Sequence, residues 1–512
     1  MTIKTREKWL LAGIFALGLF ARLYRFGALP AGLNQDEAFA AYDAWALLRF
    51  GTDSALHPWP VYLTAWGSGM NALETYLMIP LLALFGVKTW VIRLPQLMIA
   101  LASLPAAYSV GRRLAGERGG LISAAVLALC PWHILLSRWG LESNLAPGML
   151  LFGLCFSLKG LEDGRFLPLS ALFYGLSLYA YSAVWPVMPL LLGLMLLLAR
   201  PRFDRHLVAS GVLLAGLALP ALGFLAVNYG LLEEFSLGPF TVPRLVAVRA
   251  GEVSFSRIPE NLKTMLTILL TQSDGLKWNS PGIYGLFYPI ALPFGLAGLF
   301  TLCRRSFHAI RARQFDPASL LLAWVLAGTV LCCLISVNVN RMNFLLMPLA
   351  LTLALGADTL LSLCGRYKKI AAALGAAVLL GFFCFFQQYY FTDYTASLRG
   401  EFTAGAEEAL DAALAHEGPV YLSRTIHYPK LLLFAEISPA DFNADVEYVR
   451  YPAPYLSARR VGRCSFLDEA GMPLDPDAVY VLWAGTEGRW REAGFTLERH
   501  GCYQVACCKA AP

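Results

Sequence analysis

Asp36 and Glu37 stand side by side in the segment Gly32-Leu33-Asn34-Gln35-Asp36-Glu37-Ala38, which continues through Tyr42, Leu47-Leu48 and Gly51-Thr52-Asp53. A carboxylate held near a hydroxyl can take its proton as that oxygen attacks an electrophile. The same residues also have a structural reading. Asn34 as N-cap with Glu37 three positions on forms a near-capping box, and acids favour a helix N-terminus. Capping does not exclude catalysis. Successive helical side chains point about 100° apart, so the two acids cannot both aim into one cleft.

The elements that must position this pair are apolar. Hydrophobic residues make up 57% of the 512 and charged residues only 15%, against about 25% charged in soluble domains. The apolar residues come in blocks of about 17 to 25, the length that crosses a bilayer as a helix. The first block, 9–26, follows Lys4, Arg6 and Lys8 but no small-residue cleavage site follows it, so it reads as a retained helix. The net charge of +6 is dispersed over short loops. It is a topology signal and not a nucleic-acid footprint.

The loops richest in Lys and Arg are the N-terminus, 112–118, 159–165, 200–205, 304–313 and 366–369. The positive-inside rule places all of them in the cytoplasm. Two apolar stretches, 71–86 and 90–110, separate the first span from the loop at Arg112. If both crossed, every later basic loop would be inverted. The shorter one carries Glu74 and Pro80, so we assign it to an interfacial or re-entrant helix.

The remaining spans then alternate: 90–110, 119–137, 144–160, 166–182, 184–200, 206–227, 282–302, 318–336, 343–363 and 370–391. With the first, that is about eleven transmembrane helices, N-terminus inside and C-terminus outside. The expected fold is therefore an all-α polytopic membrane protein over 1–391, with outer loops at 27–88 and 228–281. A small extracytoplasmic α/β domain follows over 392–512. Within that tail, 420–423 and 478–483 read as strands, and 407–414 and 428–434 as helices. Gly230, Gly238, Pro239, Pro243 and Gly251 disfavour long regular elements in the second outer loop. Of the outer cysteines, Cys464 with Cys502 is a candidate disulfide, whereas vicinal Cys507 and Cys508 lack partners at metal-ligand spacing.

The Asp36 segment resembles the first extracytoplasmic loop of lipid-carrier-dependent glycosyltransferases of the GT-C superfamily. It is most similar to bacterial family 39, related to protein O-mannosyltransferases and the aminoarabinose transferase of lipid A. The similarity continues in order through Leu84-Phe85-Gly86, Arg93-Leu94-Pro95, Gly111-Arg112-Arg113-Leu114, Pro131-Trp132-His133, Ser137-Arg138, Tyr179-Ala180-Tyr181, and Asn340-Arg341 with Pro348. The resemblance implies a polyprenyl-phosphate-linked monosaccharide as donor, direct inversion at the anomeric carbon, and an acceptor hydroxyl on a lipid, glycan, cell-wall polymer or protein. It implies a bacterial plasma membrane as the location.

On that resemblance Asp36 is the general base, and Glu37 serves the cap or orients Asp36. The departing phosphate needs cations already aimed at it. Arg138 and Arg341, both at outer ends of spans, are the candidates, since Arg suits bidentate phosphate binding. Either could instead snorkel as an interfacial anchor, and Glu142, one turn after Arg138, could simply pair with it. His57, Asn71, Tyr181 and Asn340 are weaker candidates for the cleft wall, with Glu142. Glu74 stands where relatives are expected to carry an aromatic or small residue. As an extra carboxylate it would select a cationic or amino sugar, or join Asp36 on a metal. Asp53 precedes Ser54 and not a second acid, so no dedicated divalent-cation site is indicated and no cofactor is called for. The rival class is a lipid-linked-sugar flippase. Such transporters commonly show related halves with broken helices at midplane, and no such symmetry is evident here. A scaffold with a sensory outer domain would leave the Asp36 segment without a task.

Overall fold

In the computed structural model, residues 5–248 and 253–508 are described; Lys4 and Gly251, used above, lie outside them. The membrane part holds fourteen α-helices. They are α1 (Thr5–Leu23), α2 (Gln35–Phe50), α3 (Leu73–Phe85), α4 (Thr89–Leu129), α5 (Pro131–Leu136), α6 (Glu142–Glu162), α7 (Leu167–Ala180) and α8 (Met188–Ala199), then α9 (Arg205–Asn228), α10 (Ile258–Thr271), α11 (Ala291–Arg311), α12 (Pro317–Leu334), α13 (Val339–Leu363) and α14 (Lys368–Tyr389). Each expected span overlaps a helix. Among the described residues, six helices are long and apolar enough to cross a bilayer, and the chain is a multi-pass membrane protein.

The loop at Arg112 is a hairpin inside α4. Ala115 and Gly116 leave helical geometry, Gly116 at φ 68°. A Cβ on Gly111 would fall 2.2 Å from Ser123 Oγ, residues that a straight helix would hold about 18 Å apart. The chain therefore doubles back, and glycine at 111 lets the arms touch. The stretch expected to stay out of the bilayer is α3, 13 residues long. At 1.5 Å per residue it reaches only about 20 Å, short of the hydrocarbon thickness.

Two expectations are corrected. The span placed at 282–302 is a helix over 291–311, because Gly282, Gly285 and Tyr288 take positive φ and keep the preceding residues irregular. The loop after α9 is more ordered than its glycines and prolines suggested. It holds a hairpin of two strands, Phe235–Leu237 with Phe240–Val242, and then the 14-residue α10. Pro259 starts α10 where a missing N–H costs nothing. Asn261, Met265 and Ile268 form its buried stripe, and Asn261 Nδ2 donates to Cys333 O at 3.0 Å, tying it to α12.

The tail is an α/β unit. Its seven-stranded sheet runs, in spatial order, 496–500, 503–507, 479–483, 420–423, 464–467, 458–461 and 446–448. The three central strands, 479–483, 420–423 and 464–467, are parallel, and the rest pair antiparallel. The helices Ala406–Leu414 and Tyr428–Phe434 lie where the sequence placed them. The tail shares one core with the first outer loop: Ala38, Phe39 and Tyr42 of α2 belong to the same buried cluster as Leu431, Leu432 and Val481. The disulfide considered between Cys464 and Cys502 is absent. Both are free thiols, and Cys464 is packed inside the sheet's core.

Candidate active site

Helix α2 begins as its local sequence dictates. Asn34 Oδ1 accepts from the Asp36 amide at 3.0 Å, the Asn34 amide donates to Glu37 Oε2 at 2.8 Å, and the capping box is complete. Glu37 is 1% exposed and takes further donors. Arg93 reaches Oε1 through Nε at 2.7 Å and Oε2 through Nη2 at 3.1 Å, and the Gly140 amide donates to Oε1 at 2.6 Å. Both oxygens of this carboxylate are thus engaged within the protein. Arg93 also donates to the Pro30 and Gly32 carbonyls at 2.8 and 2.7 Å, so one buried guanidinium organises the entry to α2.

Asp36 is half-buried. Its Oδ1 accepts the Trp66 indole N–H at 3.0 Å. Trp66 precedes Ser68 and Gly69, which line a cavity of about 670 Å³. Its lining combines the polar side chains of Ser68, Glu142, Tyr181 and Arg341 with the apolar Leu178, Leu192, Leu214 and Leu222 on α7, α8 and α9. The second outer loop contributes Leu245, Val248 and Val253 to its rim.

Glu142, the first residue of α6, is held by Asn71: the side-chain amide donates to Oε2 at 2.8 Å and the backbone N–H donates to the same oxygen. Glu74 is 2% exposed. Burial pushes its carboxyl up to about 8, the Gln96 side chain opposes that, and the charges of Glu37, Glu142 and Asp36 push it further up. It is thus mostly protonated at neutral pH. Gly140 makes the crowding feasible, since a Cβ there would lie 2.6 Å from Glu74 Oε1. Among the described residues no group of three or more His, Cys, Asp and Glu is arranged to hold a metal ion.

Arg341 sits on the first turn of α13, where Asn338 Oδ1 accepts its amide at 2.9 Å and its own Nη1 donates to Ser336 O at 3.2 Å. Arg138 goes elsewhere. It is fully buried, and its guanidinium donates to the carbonyls of Ala21, Arg22, Tyr24, Arg25 and Leu29. These are carbonyls that the end of α1 and the following turn leave without intrahelical partners. It neither lines the cavity nor pairs with Glu142.

His57 also lies outside the cavity lining. Its Nδ1 is 2.9 Å from Thr64 Oγ1 and its Nε2 is 3.4 Å from Glu234, joining the first outer loop to the hairpin of the second. Burial works against its charge, but Asp53 and Glu234 outweigh that and raise its pKa. Asn340 is half-buried beside Arg341 without lining the cavity.

Sequence reasoning missed Trp66 and Lys430. No local pattern flags the indole. Lys430, on the tail helix Tyr428–Phe434, is 1% exposed, and burial pulls its ammonium down to about 7 while Glu37 and Asp36 work to raise it. A lysine inside the apolar run Leu431-Leu432-Leu433 was the available signal.

The chain was compared with known proteins. The sequence model of the family described as dolichyl-phosphate-mannose-protein mannosyltransferase matches residues 73–228. A search of curated protein sequences finds no match. Among solved structures, ArnT from Cupriavidus metallidurans in the apo state superposes with a TM-score of 0.55 at 16% identity, covering 98% of each chain. The same protein bound to undecaprenyl phosphate gives 0.53 at 15% identity, covering 98% of this chain and 97% of that one. Identities this low speak for the fold, and they do so over nearly the full length, small tail domain included. The chain therefore carries, over nearly its full length, the fold of the solved ArnT, and its residues 73–228 match the dolichyl-phosphate-mannose-protein mannosyltransferase family model.

Proposed function

We propose that this protein is an inverting glycosyltransferase that moves a monosaccharide from a polyprenyl-phosphate carrier to an extracytoplasmic acceptor hydroxyl. The observation that carries the reading is Asp36, held at the start of α2 and hydrogen-bonded to Trp66, whose loop continues through Ser68 and Gly69 into a cavity lined by apolar side chains and by Arg341. The apolar side chains suit an isoprenoid chain, and the guanidinium suits its phosphate. That solved ArnT binds undecaprenyl phosphate supports the same class of donor here.

In this mechanism the acceptor oxygen attacks the anomeric carbon from the face opposite the phosphate. Its proton passes to Asp36 as the new C–O bond forms. The bond to the phosphate oxygen breaks with its electron pair staying on the phosphate, where Arg341 offsets the growing charge. Glu37 holds the helix start and takes no part in the proton transfer. Glu74, protonated beside Asp36 and Glu142, spares the site one more negative charge and leaves a hydrogen-bond donor that a sugar hydroxyl or amine can meet. The outer loop carrying Leu245, Val248 and Val253 acts as the lid over the bound donor.

The test is product formation from a labelled polyprenyl-phosphate sugar and a membrane extract. Asp36→Asn keeps the cap, because Asn34 and Glu37 make it and Asp36 contributes only its backbone amide. Its turnover should fall about 10²- to 10⁴-fold with donor affinity little changed. Near-normal turnover in this variant would remove the base from the site. Labelled carrier that crosses vesicle membranes with no transfer product would replace the enzyme by a flippase.

A further inference from the structure

We propose that the C-terminal domain is part of the catalytic site, and that it acts through Trp66 as the positioning residue for Asp36. The proposal rests on Asp36 being the base. Trp66 is 3% exposed and has φ 58°, in the left-handed region that bulky residues avoid. Surroundings must hold it there, and most of them come from the tail. The Tyr455 ring stacks on the indole at 4.7 Å and 12°, and the Tyr428 and His427 rings meet it edge-on at 5.4 and 5.9 Å. The Leu456 amide donates to the Trp66 carbonyl at 2.8 Å. Gly67 is pressed so closely that a Cβ would lie 2.7 Å from the Leu456 side chain. From α2, Phe39 closes the cage edge-on at 5.0 Å.

The caged indole points its N–H at Asp36 Oδ1. An indole can only donate, so it cannot take the acceptor's proton. What it does is fix one carboxylate oxygen and favour the ionised form, which is the form a base needs. The loop continues from Trp66 into Ser68 and Gly69 at the cavity, and the Ala247 amide of the lid loop donates to Gly67 O at 3.1 Å. One short loop thus connects the tail, the base, the donor cavity and the lid. Tyr455 adds a direct contact, its hydroxyl 3.2 Å from Gln35 Oε1 at the start of α2.

The charges around Asp36 set what the loss of this hydrogen bond would do. The carboxyls of Glu37, Glu74 and Glu142 belong to the same cluster, Glu74 held in its neutral form, and the Lys430 ammonium favours the Asp36 carboxylate. Arg93 is committed to Glu37, and burial holds His427 down to about 4. Removal of the indole donor takes away a hydrogen bond that favours the ionised form and so shifts Asp36 toward its protonated form.

Trp66→Phe keeps a ring in the cage but removes the donor. Measured on the full-length enzyme, kcat should fall about 10- to 100-fold, the worth of one hydrogen bond to a charged group. The acidic limb of the kcat/KM profile should move to higher pH, and KM for the lipid donor should change little. Tyr455→Leu leaves the donor in place but takes away its stacking partner, and should lower kcat. Tyr455→Phe, which keeps the ring, should recover most of the rate. Tyr455 is 40% exposed, so this pair remains informative should Trp66→Phe fail to fold. An unmoved acidic limb with normal kcat in Trp66→Phe, or equal rates for Tyr455→Leu and the parent, overturns the proposal while Asp36→Asn is inactive. An active Asp36→Asn overturns the reading beneath it instead.

Discussion

Arg93 Nε lies 2.7 Å from Glu37 Oε1, and both side chains are closed off from solvent. The pair is an ion bridge with every polar atom of the carboxylate engaged, at the point where the first outer loop enters α2. Removing one partner of such a pair leaves a buried charge unmatched, at about 3–5 kcal/mol. Arg93→Met should therefore lower the thermal unfolding temperature strongly. Glu37→Gln, which keeps the shape and the acceptor oxygen, should also be destabilised, with residual turnover well above that of Asp36→Asn. Thermal unfolding in detergent beside single-turnover rates checks both. A stable but inactive Glu37→Gln would assign Glu37 a chemical role in place of a positional one.

Arg341 and Arg138 should separate cleanly. Arg341→Ala removes a cation from the lining of the cavity and should weaken donor binding and turnover together, since phosphate carries charge in both ground and transition states. Arg138→Ala takes five hydrogen bonds from the end of α1 and the turn after it. It should be poorly folded, and the folded fraction should bind donor normally. Donor titration of the two purified variants decides this. Normal affinity in Arg341→Ala would move the phosphate away from this residue.

The raised pKa of Glu74 makes stability depend on pH in a definite direction. Its folded carboxyl titrates at about 8 against an ordinary value of 4.5, so the folded state holds the proton more tightly. Stability from this group is greatest below the unfolded value, falls as pH rises through the window between the two values, and stays low above it. Glu74→Gln, neutral at all pH, should raise the unfolding temperature more at pH 8.5 than at pH 5. An equal shift at both values would show that burial of Glu74 is not what loads this site.

The topology argument yields a labelling pattern. Single cysteines placed near Lys88 and in the tail should react with an impermeant reagent from outside intact cells, and one placed in the 112–118 hairpin should react only after permeabilisation. Labelling of the hairpin from outside would invert the orientation derived from the basic loops.

Features set by near neighbours in the chain were legible beforehand. Asn34 and Glu37 are three residues apart, so their capping box follows from helix geometry. The stretch 71–86 was recognisable as the shorter of two apolar ones, and the tail's helices, read at 407–414 and 428–434, followed their apolar spacing. The misplaced start of α11 came from Gly282, Gly285 and Tyr288, whose positive φ interrupts an apolar run that composition alone reads as continuous.

What apolar patterning and charge along the chain determined was the membrane class, the spans' approximate positions, and a carboxylate pair at a helix start. Tertiary structure decided which polar groups meet. Arg138 and Arg341 look alike in sequence, yet one is drawn to carbonyls 109 to 117 positions away while the other remains at the cavity. Asp36 finds Trp66 30 positions on, and that indole is caged by a domain almost 400 residues further along. Helix periodicity acts over three or four residues, whereas the partner of a buried guanidinium or indole is set by which unsatisfied groups the folded chain brings within reach. Only the assembled fold specifies that.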